Sequence, residues 1–214
     1  MRTKNVTVRL ALGLVAVCLL VSNALAQLRQ QYYPDGQLKA QGHLVDSLPD
    51  GKWTYYYPNG TVSAVQHFRM GELHGICEYF DFSGNLQMRE TWREGVLDGL
   101  AEEFYPNGNT KRKGSYQQGV YEGKWIFYYE NGQMHQIGGY RDGFPEGNWQ
   151  TFGPAGSIEQ EGAYKSAKEE GLWRFYDEKG KALYEGNYRD GERIGTWYRF
   201  KKNGKKKKWK SFLP

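Results

Sequence analysis

GKWIFYYENGQMHQIGGYRDGFPEG, Gly123 to Gly147, contains the whole grammar of this chain. "KWIFYY" is a short aromatic run suited to a pleated strand. "ENG" reads as a tight hairpin turn, because Asn-Gly tolerates the positive φ of a type I′ turn. "QMHQIGGYR" is a second extended run, and "DGFPEG" reads as a wider turn closed by glycine. Two antiparallel strands therefore make one unit.

The unit recurs. "GKWTYYYPNG" begins at Gly51, 72 positions before "GKWIFYYENG". In rows of 24 residues, glycines fall at 36, 60, 84, 108, 132, 156, 180 and 204. A second series runs 51, 75, 99, 123, 147, 171, 195. A third, 71, 95, 119, 143 and 191, is broken by Ser47 and Ala167. A fourth, 42, 114, 138, 162 and 186, is broken by Gln66 and Glu90. These series hold 25 of the 28 glycines, so the period is a property of the fold and not of chance. Trp53, Trp125, Trp149, Trp173 and Trp197 share one slot, with Cys77 and Ala101 in the other two rows. Another slot is always aromatic, as at Tyr56, Tyr128 and Tyr176. No window after the N-terminal segment offers a capped helical face.

The expected fold is all-β: an elongated, twisted, single antiparallel sheet, a β-meander of about seven 24-residue hairpin repeats. Strands about 4.8 Å apart would make a sheet roughly 70 Å long. A two-residue Asn-Gly turn makes residue numbers opposite one another sum to 263 in the fifth unit. Trp125 then faces Gly138, Trp149 faces Gly162 and Trp173 faces Gly186, while Trp53 faces Gln66 and Ala101 faces Gly114. Each indole is expected to lie over a strand glycine, where no side chain competes. The ladder reads as the sheet's own core, or else as a surface for stacking ligands, formed by Trp53, Trp125, Trp149, Trp173 and Trp197 with Tyr56, Tyr128 and Tyr176.

The two ends differ from the body. Residues 1–26 have Arg2, Lys4 and Arg9, an apolar run from Leu10 to Val21, and Ala24–Leu25–Ala26, the pattern of a secretory signal peptide. The mature chain is expected to begin at Gln27 and to work outside the cytoplasm, in the periplasm or at the cell surface. It then keeps one cysteine, Cys77, which precludes an internal disulfide and reads as a small apolar filler. The formal charge of +5 falls to +2 without the three signal-segment cations. Seven lysines lie between Lys201 and Lys210, so residues 27–200 carry −5. A mildly acidic body argues against a nucleic-acid partner. The tail, 205–214, with Lys205, Lys206, Lys207, Lys208, Trp209 and Lys210, suits an anionic lipid surface or acidic polymer, or else a disordered end that shields the last sheet edge.

No phosphate-binding loop or nucleophile elbow is present in the sequence. His67, His74 and Cys77 come near one turn but lack the paired spacing of a zinc site. The reading is of a protein that is not an enzyme and needs no cofactor.

The blocks G-x-W-x-x-Y-Y-x-N-G and G-x-Y-x-D-G-x-x-x-G, intact around Gly123–Gly147 and Gly186–Gly195, resemble the MORN repeats, in particular the variant of the bacterial YwqK antitoxin-like group. The resemblance covers about residues 32–204, within a repeat domain of 27–204. It departs at "GICEYFDFSGN" and "GLAEEFYPNG", which lack the tryptophan. The resemblance implies interaction or scaffolding, with another protein as partner. Anionic lipid or envelope polysaccharide are the other partners considered, through the tail or an aromatic face. The polysaccharide reading requires indoles that are exposed.

Overall fold

The computed structural model describes residues 26–213, and all its regular elements are strands. Residues 1–25, which hold nearly all of the expected signal segment, lie outside the described residues. The strands are β1 (Gln27–Tyr32), β2 (Leu38–Val45), β3 (Leu48–Tyr56), β4 (Val62–Arg69), β5 (Glu72–Leu73) and β6 (Gly75–Phe80). Next come β7 (Leu86–Arg93), β8 (Val96–Phe104), β9 (Thr110–Gln117), β10 (Val120–Tyr128), β11 (Met134–Arg141) and β12 (Phe144–Phe152). The last are β13 (Ile158–Lys165), β14 (Lys168–Tyr176), β15 (Ala182–Arg189), β16 (Glu192–Phe200) and β17 (Lys206–Phe212).

Each strand pairs antiparallel with its neighbours in sequence, from β1–β2 to β16–β17. The one interruption is at His74, where β5 and β6 together form a single broken strand against β4. The sheet is an open meander, as expected, and the predicted opposite numbers hold: Trp125↔Gly138, Trp149↔Gly162, Trp173↔Gly186, Trp53↔Gln66 and Ala101↔Gly114.

The turns exchange roles relative to expectation. The tight two-residue turn is Asp142–Gly143, closed by Arg141↔Phe144, with φ of 52° and 82°. Two positive φ angles make this the I′ turn. At Asn131–Gly132 the positive φ falls on Gly132 alone (83°). There Gly132 N–H donates to the Tyr129 carbonyl, and Tyr129 N–H donates to the Gln133 carbonyl. That is a three-residue loop ending in a left-handed glycine. It pairs Tyr128 with Met134, and a one-residue bulge restores Phe127↔Gln136. The bulge cancels the extra loop residue, so the register sum is right although the turn behind it is different.

Asn is selected in this loop for another reason. Asn131 Oδ1 accepts from Gln133 N–H, and its Nδ2 donates to the Pro154 carbonyl in the next unit. Tyr129 OH likewise donates to the Phe152 carbonyl, 23 residues on, at 2.9 Å. The same tyrosine clasp recurs from Tyr33, Tyr57 and Tyr105. Four of the long loops are thus tied to the one after them, a nearest-neighbour coupling of the kind expected in a repeat array.

Candidate functional site

The tryptophans are decided by a bulge. In β10 the ladder to β9 runs Glu122↔Ser115 and resumes at Ile126↔Lys113. Gly123, Lys124 and Trp125 therefore oppose Gly114 alone, and Gly123 takes φ of 67° to allow it. The bulge swings the indole back over the preceding strand. A β-carbon built on Gly114 would fall inside the Trp125 ring, and Trp125 Nε1 donates to the Ser115 carbonyl at 3.0 Å. Trp149 lies over Gly138 in the same way, Trp173 over Gly162, Trp197 over Gly186 and Trp53 over Gly42. The indole N–H in each finds the carbonyl ten residues earlier.

This corrects the expected cover. The glycine under each indole lies on the preceding strand, as Gly138 does under Trp149. It is not the ladder partner on the following strand, Gly162. Ladder register ignores side-chain direction, and the bulge sets that direction. With the right partner the two irregular rows fall into place. Gln66 precedes Cys77, and Glu90 precedes Ala101, by the same step that separates Gly114 from Trp125. Where the second slot shrinks, the first enlarges.

Tyrosines fill the spaces between indoles. Tyr116–Trp125, Tyr140–Trp149, Tyr164–Trp173 and Tyr188–Trp197 meet edge to face with centroids 5.3, 5.2, 5.2 and 5.2 Å apart. The series ends on Phe212, which lies 6.0 Å from Trp197 and one repeat period after Tyr188. Ladder indoles are 1% (Trp125, Trp197) to 4% (Trp149) exposed. Rings so covered present no face for a sugar or other ligand to stack on, so Trp53, Trp125, Trp149, Trp173 and Trp197 are core.

The other side of the sheet is different. Tyr56, Tyr128 and Tyr176 project there, three residues from the tryptophans, and are half-buried. The structure thus divides the eight aromatic candidates between two faces. Opposite-number pairs trace a row across this second face: Glu78↔Arg89↔Glu102↔Lys113↔Ile126↔Ile137↔Gln150↔Glu161↔Arg174↔Glu185. Arg89 bridges Glu78 (2.9 Å) and Glu102 (3.5 Å). Arg174 bridges Glu161 (3.7 Å) and Glu185 (3.2 Å). The hydrogen bond from Tyr176 OH holds the Glu161 carboxyl below its ordinary range. Burial and that same bond push Tyr176 up to about 12. Burial alone would raise Glu185, but bonds from Lys206 and Arg174 outweigh it and lower its pKa.

A groove of about 1090 Å³ opens at the loop end of this face, lined by Tyr176, Lys179, Ala182, Phe200, Lys201 and Lys202, and two more lie along the ion-pair row. The first of these, about 840 Å³, is lined by Lys124, Ile137, Gln150, Glu161, Leu172 and Arg174. The second, about 480 Å³, is lined by Ile76, Arg89, Leu100, Lys113 and Ile126 and shares Lys124 with the first. Leu100 is 70% exposed, Ile76 51% and Leu172 46%. These apolar side chains precede the ladder slot by one residue, so alternation alone sends them to the second face. The sequence reading missed them by following only the aromatic slots.

The tail is a strand. β17 pairs with β16 from Gly195↔Phe212 to Phe200↔Lys206, so the sheet continues through the tail. The expectation of a disordered end fails because Phe212 completes the aromatic ladder and Trp209 packs on Tyr184. Lys206 and Lys208 stand on the ion-pair face, Lys207 and Lys210 on the indole face, and Lys205 closes the turn. Among the described residues no cluster of three His, Cys, Asp or Glu could hold a metal ion. His67 Nδ1 bonds the Ile76 carbonyl at 2.7 Å, and burial pushes the Cys77 thiol up.

The family model described as MORN repeat variant matches residues 28–46, 49–69, 73–94, 97–118, 121–142 and 169–190. No curated protein matches the chain.

Proposed function

The chain belongs to the MORN repeat variant family, and from that premise we propose that it is an exported, non-catalytic scaffold that binds another protein along its ion-pair face. The observation that supports this most is the division of labour between faces. The indole face is used up in packing, while the ion-pair face keeps exposed Ile76, Leu100 and Leu172 beside fixed charges. The charges alternate in sign along the row. A lipid headgroup surface asks for one sign. Alternating sign with apolar side chains between is the composition of a protein interface, where charge fixes register and apolar contact supplies affinity. Export rests on the basic–apolar–small pattern of residues 1–26. In the envelope such a protein serves as an adaptor.

Site-specific crosslinking tests the reading in the source cell. A photoreactive residue at Leu100 or Leu172 should give one discrete protein adduct, and the same residue at Arg199, exposed on the indole face, should give little. Adducts of equal yield from all three positions, or adducts to lipid or glycan only, would count against it. N-terminal sequencing of the purified protein should begin at Gln27; a chain that retains Met1 in the cytoplasmic fraction sinks the export half.

A further inference from the structure

We infer that the open edge of β17 is a strand-addition site for an acidic, extended peptide. Among the described residues β17 pairs with β16 alone. Its seven residues are exposed apart from Phe212, which is partly buried. An edge strand presents a row of backbone donors and acceptors, and an extended peptide can pair with them. The strand is held ready for that role by Phe212 and Trp209, which anchor it to the ladder.

Charge selects the occupant. Lys206 is engaged by Glu185, but Lys207, Lys208 and Lys210 have no ion-pair partner among the described residues. They lie on both faces of one strand, so an added strand would meet ammonium groups above and below its own plane. Acids distributed on both faces of the incoming segment answer that pattern, whereas a flat anionic surface reaches one face only.

Repeat phase disfavours a second copy of this chain. In the repeat register β17 occupies the slot of β15, so the strand to follow it is of the β16 or β1 type. A repeat strand would place its tryptophan slot over residue 210, where Lys210 stands in place of glycine. The β1 strand carries Arg29 in that slot, which would set guanidinium on ammonium. An acidic side chain in the same position pairs with Lys210 instead.

The test uses the whole mature chain and a fluorescent peptide of repeating Glu-Glu-Thr-Thr, about ten residues long, which sets acids on both faces of the extended strand. Its affinity is measured by anisotropy beside that of the same peptide with every backbone nitrogen methylated, so that neither edge can pair. Strand addition predicts at least about a tenfold loss on methylation, because charge is unchanged while the ladder bonds are removed. The variant Lys207→Ser/Lys208→Ser/Lys210→Ser should also lose about tenfold or more. Hydrogen exchange should slow at β17 amides on binding. A loss under about fivefold on methylation, or no binding by the parent peptide, overturns the proposal. Tighter binding to vesicles of phosphatidylglycerol in phosphatidylcholine, with the peptide displaced, overturns it in favour of a membrane surface. The methylation comparison uses the unmodified protein, so it stands even if the lysine variant misfolds.

Discussion

Strands β9 to β16 and strands β4 to β8 solve one packing problem in opposite ways. In the first region an indole covers a bare backbone: Trp125 over Gly114, Trp149 over Gly138, Trp173 over Gly162, Trp197 over Gly186. In the second the bulk sits on the earlier strand, as Gln66 before Cys77 and Glu90 before Ala101. Cys77 and Ala101 are as buried as the indoles they replace, and Glu90 is buried with them. Trp92, in the slot that holds Tyr116 one unit later, turns its N–H to Glu90 Oε2 at 3.2 Å. The lesson is that the tryptophan slot is half of a pair. Its other half is the slot that Gly114 fills for Trp125, and the two share one space: where the tryptophan is absent, a larger side chain stands in the other half.

The comparison is broken hardest at the indoles. Trp149→Ala should destabilise by about 3–5 kcal/mol in urea unfolding, because the cavity over Gly138 has nothing to collapse into it. Cys77→Ala in the equivalent slot should lose about 1 kcal/mol, for one heavy atom. Similar losses at both sites would remove the distinction.

Glu90 sharpens it next. Burial raises the pKa of this carboxyl in the folded chain. A raised carboxyl pKa gives stability that is full below the unfolded value and lost as pH rises through the folded one. Glu90→Gln should therefore gain stability relative to the parent as pH rises from the acid range toward neutrality. A difference that is flat or shrinks with pH would show the carboxyl is not held that way.

Arg174→Glu probes the opposite face. Arg174 is half exposed but its partner Glu185 is buried, so setting a third carboxylate between Glu161 and Glu185 should cost about 1–3 kcal/mol and leave the chain folded. The Leu172 crosslink should nevertheless disappear. The smallest effect belongs to a turn. Ala167 takes φ of 65° where five other units place glycine. Ala167→Gly should stabilise by about 0.5 kcal/mol, the left-handed strain relieved less the added chain entropy. Gly143→Ala should do the reverse.

Much of this was legible from residues alone. Period, strand pairing and the opposite numbers followed from glycine spacing, because a sheet register is a matter of counting. The turn types were not, since two compensating one-residue irregularities near Asn131 leave the count unchanged. The glycine beneath each indole was also hidden, because the Gly123-type bulge redirects the side chain without altering the ladder. A signal was there: the glycine series fails at Gln66 and Glu90, and the rows that follow them, at Cys77 and Ala101, are the ones without tryptophan. Parity likewise separates Trp53 from Tyr56, and so the packed face from the grooved one. The strand in the tail could have been found from Phe212, which falls on the Tyr188 slot one period later.

A double-mutant cycle at positions 90 and 101 tests the central claim most directly. Ala101→Trp alone should overpack against Glu90, and Glu90→Gly alone should strand the Trp92 N–H, each losing about 1–3 kcal/mol. Together they rebuild the arrangement of Trp125 over Gly114, and the double variant should recover at least about 1 kcal/mol of the summed loss. Additivity within about 0.5 kcal/mol would mean that the two slots do not share one space, and would contradict the account.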